Sequence, residues 1–313
     1  MPVKSIALVG GNGSLGSVIL TALLAAKPPH GGPFTVTVLQ RESSFFPAPP
    51  GANRIRIPDS FPLDALTAAV QNHDAVIAAF PLRDVSVHLR IAEAAFAAGV
   101  KRVIPADYGS VDSRSEYARE LVPLFGKKAQ VRELLRELST KRNDFGWTSL
   151  VVGHFFDWGL GNGFLHFWPD EKRAEILGTG NERSSLSTLS RVAESVVKIL
   201  GAEDAVYEKD MKGRVLMVQS FCVSQMEVLR VLEKVTGEKW KVEWRDREEF
   251  IKTHKARADA GDKASIEDLV FALGVVDGNW EEKEDFAMGL LGFENEDLET
   301  EVRKALGVAG FTS

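Results

Sequence analysis

The sequence predicts a doubly wound α/β fold, built on a parallel sheet, with a smaller and mostly helical C-terminal cap. Three observations predict it. Short apolar runs alternate with helix-length segments through the first half of the chain, which is typical of βαβ units. These runs are nearly continuous in Val, Ile, Leu and Ala, as expected for strands that helices cover on both sheet faces. A glycine-rich turn joins the first strand to the first helix.

The order of the segments divides the chain into two domains. The predicted strands are Ser5–Val9, Phe34–Leu39, Arg54–Ile57, Ala75–Ala79, Arg102–Pro105 and Thr148–Val152. The predicted helices between them are Ser14–Ala26, Leu63–Gln71, Val85–Ala98 and Phe125–Leu138. Later helices are expected at Ser190–Leu200, Gln225–Thr236, Arg247–Ala258 and Glu296–Leu306. We expect one domain over 1–155 and a cap over 156–313, with a strand near 214–219 that returns to the main sheet.

Composition limits the class of protein and its partners. The 313 residues suffice for two domains, and 44% of them are apolar. The single cysteine, Cys222, rules out an internal disulfide and fits a reducing compartment, so a cytoplasmic protein is expected. The net charge of −6 argues against nucleic acid as a partner. Glycines interrupt the uncharged stretch Ser5–Ala26, so it predicts a strand, a turn and a helix, and no membrane partner.

The glycine turn carries the first functional signal. The segment Gly10–Gly16 reads Gly-Gly-Asn-Gly-Ser-Leu-Gly, and two registers fit it: Gly11, Gly13 and Gly16, or Gly10, Gly13 and Gly16. Glycines here allow a tight turn and let the backbone approach a pyrophosphate, while the helix start binds the anion. We expect a dinucleotide-binding domain in which Gly10, Asn12, Gly13, Ser14, Leu15 and Gly16 contact the cofactor.

The end of the second strand favours NADPH as that cofactor. Sites for NAD usually place an acid at this point to bind the ribose 2′-hydroxyl. This chain has Gln40 followed by Arg41, and a guanidinium binds a 2′-phosphate in a bidentate manner. The alternative is that Arg41 is a surface charge and Glu42 contacts the ribose.

The catalytic residue is not a tyrosine of the usual short-chain type. None of the three tyrosines has a lysine four residues later, so the Tyr-x-x-x-Lys motif is absent. Lys127 and Lys128 remain as candidates, on the predicted helix 125–138. Burial beside a cofactor lowers the pKa of a lysine towards the range useful for proton transfer. Helical periodicity alone does not choose between the two.

The motifs of the first half resemble those of the isoflavone reductase and phenylcoumaran benzylic ether reductase family, within the NmrA-like group of atypical short-chain reductases. The matching segments are Gly10–Gly16, Arg41–Ser43, Val103–Gly109, Phe125–Arg132 and His154–Phe156. The resemblance places the family's catalytic lysine on Lys128. It implies an NADPH-dependent reductase, with Phe80 and Phe156 beside the nicotinamide and Lys128 touching both cofactor and substrate.

Two departures from the family pattern lie near the expected substrate pocket. The family commonly has Pro-Ser-Glu-Phe-Gly where this chain has Pro105-Ala-Asp-Tyr-Gly109, and Asn where it has His154. Asp107 and His154 either assist proton transfer or form a structural pair. The departures bear on the substrate and not on the cofactor.

An aromatic segment follows the first domain. Six of the 15 residues in His154–Trp168 are Phe or Trp, and three glycines interrupt the segment, so a regular core helix is not expected. It either forms the wall of a flat, apolar substrate site or packs the cap onto the sheet. We expect His154, Phe155 and Trp158 to contact the substrate.

Two functions therefore remain, from different classes. The first is an NADPH-dependent reductase that transfers hydride to a carbonyl, enone or quinone methide of a small aromatic or phenolic metabolite. The second is an NmrA-like redox sensor that binds NADP without turnover, and the presence of Lys128 speaks against it. None of the six histidines has metal-site spacing, so no metal is expected. The protein is expected to be a monomer or a homodimer.

Overall fold

A computed structural model describes residues 2–29, 32–47 and 50–308. The chain forms thirteen strands and twelve α-helices within these ranges. The strands are β1 (Ser5–Val9), β2 (Thr35–Arg41), β3 (Asn53–Ile57), β4 (Ala75–Ala78), β5 (Arg102–Ile104), β6 (Gly146–Val151), β7 (His154–Phe155), β8 (Phe167–Trp168), β9 (Arg173–Leu177), β10 (Arg183–Ser187), β11 (Arg214–Met217), β12 (Phe221–Ser224) and β13 (Lys241–Arg245). The helices are α1 (Ser14–Ala25), α2 (Leu63–Val70), α3 (Val85–Ala97), α4 (Glu116–Leu121), α5 (Pro123–Lys141), α6 (Phe156–Asn162), α7 (Leu189–Gly201), α8 (Asp204–Val206), α9 (Gln225–Thr236), α10 (Arg247–Asp259), α11 (Lys263–Asp277) and α12 (Leu298–Ala305).

The chain divides into two compact units. The first, here the sheet unit, comprises Met1–Tyr108, Leu124–Leu150 and Val192–Leu216. The second, here the cap unit, comprises Gly109–Pro123, Val151–Arg191 and Met217–Ser313. Each is therefore assembled from segments that are distant in the sequence.

The sheet unit is built on a seven-stranded sheet in the order β11-β6-β5-β4-β1-β2-β3. Its pairings from β3 through β6 are parallel. The core on one face packs α2, α3 and α5 against the strands, and α1 lies against β1 and β2. Because helices cover the strands, β4 is buried throughout and β1 at four of its five positions. This confirms the predicted doubly wound fold.

The strand order reverses beside β1. From β1 the chain moves outwards through β2 and β3, then crosses to β4 on the other side of β1. Open α/β sheets bind ligands outside the carboxyl ends of the strands at such a point. The glycine turn, which follows β1 directly, lies there.

The cap unit contains more strand than the sequence predicts. It has two three-stranded sheets, β12-β10-β7 and β13-β9-β8, together with α6 and α9 to α12. The segment after His154 also corrects an expectation, because residues Phe156–Asn162 form the helix α6. This helix ends at Gly163, whose φ of +80° is the left-handed conformation that favours glycine.

Candidate functional site

The glycine turn is shaped by contacts that leave no room for side chains. Gly10 directly follows β1 with φ +92°, and a Cβ there would lie 2.6 Å from the carbonyl oxygen of Ala79. A Cβ on Gly16 would lie 2.0 Å from the carbonyl oxygen of Gly10. These two positions therefore need glycine for the fold itself. They support the register of Gly10, Gly13 and Gly16.

Gly13 differs from them, because it is exposed and precedes the first turn of α1. A Cβ on Gly13 would come no closer than 3.5 Å to any other group, an ordinary contact with the Gly10 carbonyl oxygen. Within the described residues no side chain caps α1, so no side chain occupies the helix start beside Gly13. The fold thus tolerates a side chain at Gly13, whereas an anion at the helix start would meet it.

The predicted neighbours of the turn lie around it in the sheet unit. Asn12 connects the turn to the end of β2, because its amide accepts from Gln40 Nε2 (3.3 Å) and donates to Ser44 Oγ (3.4 Å). The Leu15 side chain is buried, so its main chain is the part left for contact with a ligand at the turn. The Cβ of Phe80 would lie 2.8 Å from a Cβ on Gly10, and its ring stacks on His88 at 4.2 Å.

Arg41 is exposed at the carboxyl end of β2, and a tight turn follows it. Its carbonyl oxygen accepts from Ser44 N (3.0 Å), and Asp59 accepts from Ser43 N (3.0 Å). Hydrogen bonds from Ser43, with a smaller contribution from Arg41, lower the pKa of the Asp59 carboxyl. Asp59 therefore fixes the turn that presents the guanidinium.

The two candidate lysines have different environments. Lys128 is 7% exposed, and its Nζ donates to the main-chain carbonyl of Asp107 just beyond β5. Lys127 is half-buried, and its Nζ donates to the Arg83 carbonyl at 2.6 Å. Burial lowers the pKa of Lys128 to about 8; the Asp107 carboxylate opposes that effect and Arg132 adds to it. The buried environment of Lys128 thus brings the pKa of its amine close to neutral pH.

The segment between β5 and the cap unit has an unusual backbone. Tyr108 takes φ +31°, which is uncommon for a residue with a side chain. Its hydroxyl is buried and has no hydrogen-bond partner among the described residues, and burial strongly raises its pKa. Asp107 N donates to the Pro105 carbonyl at 2.8 Å, so a narrow turn fixes the carbonyl that binds Lys128.

The predicted substrate residues lie in the cap unit, and one of them, His154, is structural. The His154 Nε2 lies 3.1 Å from the Val270 carbonyl, and its ring packs against Gly274, where a Cβ would have no room. Burial lowers the pKa of His154 to about 4, so this imidazole is neutral near pH 7. Phe155 is half-buried, and Trp158 is 40% exposed and packs against Phe164. These last two side chains keep exposed aromatic surface.

The expectation that Phe156 lines the nicotinamide is corrected. Its side chain is 0% exposed and packs edge-on against Phe221 with ring centroids 4.8 Å apart. A ring enclosed in the core of the cap unit has no surface left for a cofactor.

A second group of ionisable residues, which sequence reasoning missed, lines a cleft of about 550 Å³ in the cap unit. The buried His166 lies between two carboxylates, with Nδ1 2.8 Å from Glu175 and Nε2 3.4 Å from Asp268. Arg245 also pairs with Glu175 (2.6 Å), and His254 with Asp268 (2.8 Å). The residues of this cluster come from four different helices and strands and from one loop, so no local sequence motif predicts it.

The charges of this cluster depend on each other. Burial opposes a charged His166, but hydrogen bonds to Asp268 and Glu175 outweigh it and raise the pKa of that imidazole. The hydrogen bond between His166 and Glu175, together with the one from Arg245, lowers the pKa of Glu175 to about 2. The Glu175 contribution to stability is present above about pH 4.5 and is lost as the pH falls through about 2. The His166 contribution is full below pH 6.5 and is lost as the pH rises through the raised pKa.

Glu175→Gln is therefore expected to lower the free energy of unfolding by about 2–4 kcal/mol near pH 6, because His166 and Arg245 lose a shared carboxylate. Urea unfolding curves at several pH values measure this. The matched control is Glu171→Gln, because Glu171 is 58% exposed where it pairs with Arg173, and an exposed pair contributes less than about 1 kcal/mol. Equal midpoints for Glu175→Gln and wild type would contradict the assignment.

Comparison with known protein families identifies the chain. The model of the NmrA-like family matches residues 2–267. The chain belongs to the NmrA-like family. This membership confirms the resemblance found in the sequence motifs.

The relatives of this NmrA-like chain include oxidoreductases. The oxidoreductase aprR of Aspergillus flavus is 33% identical over 250 residues, which cover 80% of this chain and 79% of that protein. Among solved structures, AtPrR2 with NADP+ and (+)-pinoresinol has a TM-score of 0.75 at 20% identity, covering 97% of this chain and 99% of the other. The leucoanthocyanidin reductase–NADPH complex of Vitis vinifera has a TM-score of 0.75 at 15% identity, covering 97% and 100%. These structural likenesses establish the fold.

Two further observations concern the described residues of the NmrA-like chain as a whole. No helix in residues 2–29, 32–47 and 50–308 is both long and apolar enough to cross a membrane. Nor does any group of three or more His, Cys, Asp or Glu in those ranges have an arrangement that holds a metal ion.

Proposed function

We propose that this NmrA-like protein is an NADPH-dependent reductase of a small aromatic or phenolic substrate, with Lys128 as its general acid. One observation carries the proposal: a lysine with a pKa of about 8 is buried and held by the carbonyl that follows β5. A general acid works best when its pKa is near the operating pH. The relatives named oxidoreductase, and the reductases of similar fold, support the same class of reaction.

The residues of the glycine turn fit a dinucleotide. At Gly10 and Gly16 the backbone of the turn packs directly against neighbouring backbone. Gly13 and Ser14 are exposed and leave the helix start open to a pyrophosphate. Arg41 would bind the 2′-phosphate and Phe80 would line the nicotinamide region. When bound, NADPH supplies the hydride, and the protein supplies orientation and the proton.

Lys128 performs the proton step in this proposal. Its ammonium form donates a proton to the substrate oxygen, or stabilises the negative charge that develops there. Either action is expected to accelerate the reaction by about 10²- to 10⁴-fold. Phe155 and Trp158 offer aromatic surface for a flat substrate. His154 is a structural residue here, because a neutral imidazole tied to α11 has no proton to give near pH 7.

The test is NADPH consumption against a panel of aromatic ketones, enones and phenylpropanoids, with NADPH binding followed by fluorescence. Oxidation of NADPH that depends on one of these substrates would establish the reductase. Binding of NADPH without turnover across the panel would favour the redox sensor instead.

The choice of NADPH over NADH is tested at Arg41. Arg41→Ala is expected to weaken NADPH binding by about 10- to 100-fold and NADH binding hardly at all, because only NADPH carries the 2′-phosphate. Isothermal titration with both cofactors measures the two losses. Arg136→Ala, which removes an exposed arginine of α5, controls for the change in net charge. An equal loss for both cofactors would remove the role assigned to Arg41.

A further inference from the structure

Three buried ionisable side chains meet beyond β5. Lys128 and Arg132 are four residues apart on α5, so they lie on the same face of the helix. Both reach Asp107, and the exposed fractions of the side chains are 7% for Lys128, 9% for Arg132 and 2% for Asp107. Two cations thus share one carboxylate in a site with almost no solvent.

The carboxylate is shared unequally. Arg132 Nε contacts Asp107 Oδ2 directly. Lys128 Nζ lies 3.9 Å from Asp107 Oδ1, which is beyond hydrogen-bond distance, and donates instead to the main-chain carbonyl of the same residue. Oδ1 has no hydrogen-bond partner among the described residues. The ammonium is therefore held by a neutral acceptor while the nearest anion is bound to another cation.

We propose that Asp107 and Arg132 are positioning residues for Lys128: the Asp107 carbonyl fixes Nζ, and Arg132 keeps the Asp107 carboxylate from closing on the ammonium. This inference rests on the proposed function, in which Lys128 gives up a proton. A carboxylate in direct contact with a buried ammonium would stabilise the charged form and hold its proton. Arg132 prevents that contact and adds a second positive charge that disfavours the ammonium.

The arrangement predicts opposite effects for the two partners. Without Arg132, the Asp107 carboxylate is free to pair with Lys128, and the amine should titrate at higher pH. Without the Asp107 charge, Lys128 remains buried beside Arg132, and its amine should titrate at lower pH. Coulomb interactions alone give these two signs, so the size of the Arg132 effect, at least about one pH unit, is what marks a carboxylate that closes on the ammonium.

The test measures the Lys128 amine directly in the full chain without cofactor, by NMR of the Nζ resonance in ¹⁵N-lysine-labelled protein. Lys128→Met assigns that resonance by its disappearance. Arg132→Met is expected to raise the midpoint of the titration by at least about one pH unit, and Asp107→Asn to lower it by a similar amount. Arg136→Met, one turn further along α5 and exposed, should leave it unchanged.

The outcomes separate this proposal from the function on which it rests. Opposite shifts, with the alkaline limb of the pH–rate profile moving in parallel, support both. Opposite shifts in a protein that turns over no substrate keep the positioning roles and count against the reductase. Shifts of the same sign, or none, overturn the proposal. Should Arg132→Met fail to fold, Arg132→Gln keeps a hydrogen-bond donor without the charge and is expected to raise the midpoint as well.

Discussion

Replacing Lys128 with methionine is expected to lower kcat/KM by at least about 100-fold while NADPH affinity stays nearly the same. Methionine fills a similar volume and keeps the apolar contacts of the stem, but it has no proton to give. The loss should therefore appear in turnover and not in cofactor binding. Steady-state kinetics on the best substrate of the panel, together with NADPH titration, separates the two quantities.

The pH dependence of the wild type gives the same prediction a second readout. A general acid acts in its protonated form, so activity should fall as the pH rises through about 8, the pKa of Lys128. The variant should lose this alkaline limb along with most of its rate.

Lys127→Met is the matched control. Lys127 lies one position earlier on α5, carries the same charge and binds the Arg83 carbonyl. Lys127→Met should leave turnover within about threefold of wild type, because the Lys127 amine binds the Arg83 carbonyl and not the Asp107 carbonyl that holds Lys128. A change of that size corresponds to under 1 kcal/mol. If Lys127→Met removed activity and Lys128→Met did not, the assignment would be wrong by one residue.

Local sequence signals account for the parts of the fold that were predicted well. The strand Ser5–Val9 and the helix Gln225–Thr236 form at the predicted bounds. The helix has its own start signal, since the Ser224 side chain accepts from Glu227 N and the Glu227 side chain accepts from Ser224 N. Periodicity and caps act within a few residues, so one sequence is enough to find them.

The elements that were missed depend on contacts made elsewhere. The helix α6 forms in spite of its glycines, and a Cβ on Gly159 would lie 2.8 Å from Leu165, so packing selects the small residue. The helix α11 has a nearly continuous apolar run, from Leu269 to Val276, that lacks a clear helical period. The short strands of the cap unit, such as β8 with two residues, exist only through their partners.

The candidate site likewise has a part that the sequence predicts and a part that it does not. The glycine turn could be placed from the sequence because strand, turn and helix are contiguous. The choice between Lys127 and Lys128 could not, because one residue turns a side chain by about 100° around the helix and only tertiary packing decides which one is buried. The contacts of Asp107 with Lys128 and Arg132 join the loop after β5 to the helix α5, which begins 16 residues after Asp107, and no spacing rule predicts them.

Gly13→Ala is expected to weaken NADPH binding by at least about 100-fold, or about 2.7 kcal/mol, in a protein that still folds. The backbone of Gly13, with φ −77° and ψ 169°, is one that alanine adopts freely, and the added Cβ meets no atom closer than 3.5 Å. The methyl group would instead project over the exposed start of α1, where the pyrophosphate is proposed to approach the backbone. Circular dichroism and thermal unfolding check the fold, and fluorescence titration measures NADPH and NADH affinity.

Two further glycine substitutions serve as controls for Gly13→Ala. Gly16→Ala places a Cβ 2.0 Å from the Gly10 carbonyl oxygen and should lose both stability and binding, because the turn itself cannot form. Gly289→Ala, where nothing lies within 4 Å of the added Cβ, should change neither. The decisive comparison is Gly13→Ala against both. Wild-type affinity in a folded Gly13→Ala protein would show that no phosphate approaches this backbone, and the dinucleotide would have to bind elsewhere. Lost affinity with wild-type stability would place the cofactor at the start of α1, since no disturbance of the fold could then explain the loss.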